Sequence, residues 1–216
     1  MATWIQNPYA PAGGGLPAGT TGQILTLNSS GLPSWQQPAD WQAADQGFLA
    51  WNYDLPASLS GGTSALATAG TMTVMAIPVR AAILVTNINL MLAANGSVLT
   101  SGQCFAALYA GAGGSLIGVT ADQSTAWGSG AAKLVTMPLA GGPFTVQPGI
   151  VYAGVWFNGT TGPAFTRTSS GATQLNLNLS TSLRWATANT GLTTTAPGTL
   201  GAFAQGSLVG YWAALS

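Results

Sequence analysis

From about residue 57 onward, apolar and polar residues alternate in short runs separated by turn chemistry. Residues 71–79 alternate. So do residues 83–92, where Asn87 and Asn89 fall on one side and Ile88, Leu90 and Leu92 on the other. A period of two is the mark of a strand with its two faces in different surroundings. Runs of the same kind predict strands over 103–110, 115–120, 133–138, 143–147, 151–157, 174–179 and 206–214. Turn dipeptides stand between them, among them Asn95-Gly96, Pro148-Gly149, Asn158-Gly159 and Pro197-Gly198. No stretch has a convincing amphipathic-helix period. The pattern predicts an all-β distal domain over residues 57–216, a β-sandwich whose strand number suggests a jelly roll.

Upstream the texture differs. Residues 16–36 begin with a Gly-rich approach, pass through the alternating run Gln23-Ile24-Leu25-Thr26-Leu27, turn at Asn28-Ser29-Ser30-Gly31 and return through Pro33, Ser34 and Trp35. This reads as a β-hairpin. A lone hairpin is at best marginally stable in water. Its simplest partner is another copy of itself around a symmetry axis, which makes Ile24, Leu25, Leu27 and Trp35 the expected trimerisation residues. Residues 37–56 hold three of the four acids together with Trp41, Phe48, Trp51 and Tyr53. They read as a neck completing a 16–56 stalk, with the aromatics near the axis and Asp40 capping a short helix over 41–46. Residues 1–15 read as an extended arm, because Pro8, Pro11 and three consecutive glycines forbid regular helix. The close cluster of Trp4, Ile5 and Tyr9 in that arm suits a docking peptide.

Charge changes the picture most. Arg80, Lys133, Arg167 and Arg184 are the only cations, Asp40, Asp45, Asp54 and Asp122 the only anions, and there is no His or Glu. Charged residues make up 4% of the chain, where an ordinary domain has about a quarter. The most apolar window, 81–94, is too short and too interrupted by Thr86, Asn87 and Asn89 to span a membrane. Eight Trp at zero net charge argue against disorder. What fits is a neutral β-protein whose surface is Ser, Thr, Asn, Gln and Gly, much of it buried between subunits.

The same inventory bounds the chemistry. No basic stripe exists to neutralise phosphates, so nucleic acid is not an expected partner. Without His or Glu no Ser–His–Asp triad, His-based metal site or Glu general acid can be built. We expect no enzyme, no cofactor and no metal. Asp122 stands alone in the β-domain and is read as bonding within its own turn. Cys104 is the only cysteine and reads as a small buried hydrophobe. Glycan binding needs aromatic faces and amide or hydroxyl partners. Trp127, in a polar loop between Ala126 and Gly128, and Trp185, beside Arg184, are the candidate contacts, set against packing in the sandwich or across the trimer. The first fifteen residues lack the basic and apolar regions of a signal peptide, so we expect synthesis in a cytoplasm without export.

Gly19, Gly22, Gln23, Ile24, Leu25, Thr26, Asn28, Gly31, Pro33 and Trp35 make up a G-x-x-G-Q-[IV]-L-T-x-N-x-x-G-x-P-x-W segment. It resembles one that recurs in fibre and appendage proteins of tailed bacteriophages. More loosely, residues 105–109, 116–127, 148–159 and 207–215 resemble jelly-roll-like distal domains of actinobacteriophage tail or fibre proteins. The resemblance implies a homotrimer in the virion, attached to a capsid or tail protein, with the segment between an attachment end and a distal β-domain that lacks known catalytic residues. Two roles stay open for that domain: adhesion to host-surface glycan, or a purely architectural role as capsid decoration or head fibre. The likeness places it on neither head nor tail.

Overall fold

The computed structural model describes residues 23–27, 33–36, 41–54, 62–171, 176, 177, 179, 183–205 and 209–216. In chain order the strands are β1 (Ile24–Leu27), β2 (Pro33–Gln36), β3 (Ala50–Trp51), β4 (Thr63–Ala65), β5 (Met72–Val79), β6 (Ile83–Val85), β7 (Asn87–Ala94), β8 (Ser97–Leu99) and β9 (Phe105–Tyr109). They continue with β10 (Leu116–Val119), β11 (Lys133–Pro138), β12 (Phe144–Val146), β13 (Gly149–Trp156), β14 (Gly159–Thr161), β15 (Ala164–Gly171), β16 (Trp185–Ala188), β17 (Val209–Tyr211) and β18 (Ala214–Leu215). One four-residue helix, α1 (Ser124–Trp127), follows β10. The chain divides into two compact units, Met1–Trp41 and Gln42–Ser216.

In the first unit β1 and β2 pair as an antiparallel hairpin, with Ile24 opposite Gln36, Leu25 opposite Trp35 and Leu27 opposite Pro33. The predicted hairpin is therefore present.

The second unit is all-β and antiparallel. One sheet runs β10-β9-β13-β5-β16. The other runs β17-β15-β7-β18-β3, with β11 along the far side of β7 and β4 on β15. Their facing sides share one core: Met75, Ile77, Leu108, Ala153 and Val155 from the first sheet, Ile88, Leu90, Leu92, Met137, Phe165 and Leu215 from the second. This is the expected β-sandwich. The predicted sides of 83–92 hold as well, with Ile88, Leu90 and Leu92 in the core, although Thr86 breaks the run into β6 and β7.

Three features depart from the pattern. First, β5 and β13 are buried on both faces, because Met72, Val74, Tyr152 and Trp156 on the outer side join a second apolar cluster with Leu192 and Leu200. Near-continuous apolar runs do this in doubly covered strands. Second, Asn176 and Leu177 lie in a turn where a strand over 174–179 was expected. Third, residues 42–54 belong with the sandwich and not with a stalk. β3 pairs with β18, Phe48 packs edge-on against Trp212 at 5.4 Å, and Tyr53 against Trp185 at 5.9 Å. The expected short helix is a single 3-10 turn over Ala43–Gln46, entered where the Gln42 amide donates to Asp45 Oδ2 at 2.8 Å. Asp40, its expected cap, lies outside the described residues.

Candidate functional site

The hairpin register sorts the four expected trimerisation positions. Residues directly opposite and two apart share a face, so Leu25, Leu27 and Trp35 fall on one face, joined by Pro33, while Ile24 falls on the other. Leu25 is 45% exposed. The expected docking residues Trp4, Ile5 and Tyr9 lie outside the described residues.

Trp127 is fully buried. Its ring meets Phe165 at 5.6 Å and 82°, and its carbonyl accepts the Gly96 amide at 2.9 Å, so it plugs the region where β7 turns into β8. No sugar can stack on a ring in that position. Among the described residues its indole Nε1 has no hydrogen-bond partner, a donor left unpaired inside the core. The polar loop suggested exposure, and only the distant partner Phe165 reveals the burial.

Trp185 is 1% exposed. The Arg184 guanidinium stacks 4.9 Å from its ring centroid, and its Nε1 donates to Tyr211 O at 3.1 Å. Asn176 clamps the pair, accepting the Arg184 amide at 2.7 Å and donating to Trp185 O at 2.6 Å. Arg184 reaches Asn52 O at 3.4 Å. Trp185 is thus part of the packing beside Tyr53 and Tyr211, while Arg184, stacked on its ring, is itself exposed. Burial pushes the nearby Tyr53 phenol well above its ordinary value, with Arg184 partly opposing that rise.

Asp122 bonds within its own turn, accepting from the Ser124 hydroxyl, and beyond it, accepting from the Cys104 amide at 3.0 Å. Burial alone would raise its carboxyl, but the bonds from Ser124, Gly102 and Cys104 outweigh burial and hold it below the usual carboxylate range. Cys104 is fully buried, and desolvation raises its thiol. Among the described residues no cluster of His, Cys, Asp or Glu is arranged to hold a metal. An open notch of about 220 Å³ lies over Met91, Ala93, Ala132 and Thr166.

Sequence reasoning passed over the outer face of the five-stranded sheet. Tyr109, Tyr152 and Trp156 lie there, buried, and each hands its polar tip to a main-chain carbonyl: Pro197 at 3.1 Å, Leu183 at 2.9 Å and Thr193 at 3.2 Å respectively. The signal available was the apolar run over 151–157, which has no polar alternate for solvent to meet. No family model and no curated protein matches this chain.

Proposed function

We propose that this chain is a structural subunit of a tailed-bacteriophage virion: a homotrimer whose arm, residues 1–15, docks on a capsid or tail protein, whose hairpin helps close the trimer, and whose jelly-roll-like sandwich faces outward. The observation that carries the reading is the hairpin. The segment that resembles phage fibre proteins folds as a two-stranded unit outside the sandwich, with Leu25, Leu27 and Trp35 at register positions on one face. Two strands do not make a core. Identical faces around an axis supply one without the charges this chain lacks.

Light scattering tests it directly. The purified chain should weigh about three times 21.6 kDa, and Leu25→Asp should return it to the mass of one chain with the β-sheet circular dichroism intact. A wild-type monomer sinks the proposal.

For the sandwich, burial favours the architectural reading, capsid decoration or head fibre, over glycan adhesion. Trp127 and Trp185, the two candidate stacking residues, are both buried, and among the described residues the exposed Trp is Trp41, in the first unit. Failure of host cell-wall polysaccharide to quench tryptophan fluorescence would agree with it. Saturable quenching would restore adhesion.

A further inference from the structure

In one half of the seven-stranded sheet β3, β18, β7 and β11 lie side by side in that order, with Trp51, Ala214, Asn89 and Thr136 opposite one another in a single row. Beyond β3 and beyond β11 no further strand pairs among the described residues. β3 is two residues long, while β11 begins at Lys133 and closes on Pro138. Short strands, lysine and proline discourage edge-to-edge pairing. Whatever meets these two sides does so through side chains.

Both sides expose apolar surface. Leu49 and Trp51 flank Ala50, which is in the core; Leu49 is 46% exposed and Trp51 half-buried. On β11, Val135 and Met137 enter the core, and Leu134, opposite half-buried Met91, is 43% exposed. The charges of the two sides are opposite. Residues 42–54 bring Asp45 and Asp54 to the β3 side against one cation, Arg184, which reaches Asn52 O at 3.4 Å. β11 brings Lys133 and no acid. Asp45 and Lys133 are exposed, and both touch neutral main-chain groups: Asp45 Oδ2 accepts the Gln42 amide at 2.8 Å, and Lys133 Nζ donates to Ser129 O at 3.0 Å.

An apolar centre with its charge at the rim is the make-up of a protein–protein contact. Two unlike sides of one molecule that complement each other repeat head to tail, and such contacts can close into rings. A second copy is also the partner always at hand. Residue 42 follows Gln36 of the hairpin by six positions, a tether of at most about 20 Å. Three chains joined at their hairpins therefore keep their sandwiches at high effective concentration, where a contact too small to hold alone is populated.

We propose that the β3 side of one sandwich, through Asp45, Leu49 and Trp51, packs on the β11 side of the next, through Lys133 and Leu134, in a ring of three. This inference rests on the homotrimer proposed above and adds a second contact to it. The leucines and Trp51 supply the apolar area. The exposed ion pair adds little affinity and fixes which side meets which.

Lys133 is the only lysine, so zero-length carbodiimide cross-linking of the full-length chain in dilute solution addresses this contact directly. An amide between Asp45 and Lys133 of neighbouring copies should appear as a ladder of two and three chains on a denaturing gel, and as a cross-linked peptide by mass spectrometry. Asp45→Asn and Lys133→Arg, both at exposed positions, should each abolish the ladder while the scattering mass stays at three chains. A trimer that gives no ladder overturns the ring contact and leaves the trimer standing. So does a ladder that survives Asp45→Asn because Lys133 is joined to Asp40, Asp54 or Asp122. A wild-type monomer removes the homotrimer, and this contact with it.

Discussion

Four tryptophans are fully buried in the sandwich, and they differ in what their indole nitrogens do. Trp156, Trp185 and Trp212 donate to Thr193 O, Tyr211 O and Tyr53 O at 3.2, 3.1 and 3.0 Å. Trp127 has no acceptor among the described residues. Leaving a buried donor unpaired costs about 1–3 kcal/mol. Trp127→Phe removes that donor along with some ring volume, whereas Trp212→Phe removes similar volume and breaks a made bond. Thermal denaturation should therefore rank Trp127→Phe as milder by about 1 kcal/mol or more. Equal losses would mean that Nε1 of Trp127 has a partner, such as an internal water.

At the scale of elements, β11 is the most legible strand. Its sequence alternates cleanly, and the structure places it over Lys133–Pro138, the predicted span. β15 and β16 were missed because Ala164-Phe165-Thr166-Arg167 and Trp185-Ala186-Thr187-Ala188 carry small or polar residues with no sustained alternation. Their strand state comes from pairing with β7, β4, β17 and β5, contacts far along the chain. The choice between packing and exposure for Trp127 and Trp185 was not legible for a related reason: their flanks look like loop, while their burial is decided by Phe165, Tyr53 and Tyr211. The positions of the cations give a test of the element map. Lys133 and Arg167 lie within strands and Arg184 immediately precedes β16, while Arg80 and Ala81 are exposed between β5 and β6. Trypsin needs locally open backbone. The first cut should follow Arg80, giving fragments split between β5 and β6 by mass spectrometry. An earlier cut after Arg184 would show that β16 opens before that bend.

For the whole molecule, few groups link stability to pH, and those few act at the extremes. Asp122 has its carboxyl held below its ordinary 3.8, so its contribution is present above that value and is lost as pH falls through the lower folded one. Burial raises the thiol of Cys104 above 9.0 and moves the phenols of Tyr152 and Tyr211 from 10.0 to about 12. Raised groups of this kind stabilise while protonated, fully so below the unfolded value, and that stability disappears as pH rises through the folded value. Calorimetry should find a plateau in melting temperature between about pH 4 and pH 9, with losses on both sides. A sharp fall near pH 6 would point to a titrating group beyond those that the sequence contains, such as a tightly bound partner.

The way the chain enters the sandwich has a mechanical meaning. Residues 49–53 are zipped along residues 211–215: the Leu49 amide to Leu215 O at 2.8 Å, the Asn52 amide to Ala213 O at 3.1 Å, Asn52 Nδ2 to Tyr211 O at 2.7 Å, and Trp212 Nε1 to Tyr53 O at 3.0 Å. β18 in turn lies against Ile88 and Asn89 of β7, a strand flanked on both sides. Tension applied through residue 42 thus passes from β3 to β18 and on to the interior of a seven-stranded sheet. A module hung by its N-terminal side would carry its load through a short chain of backbone bonds ending in its best-supported strand. Drag on the sandwich would strain the β3–β18 clasp first, leaving the core of the module for last.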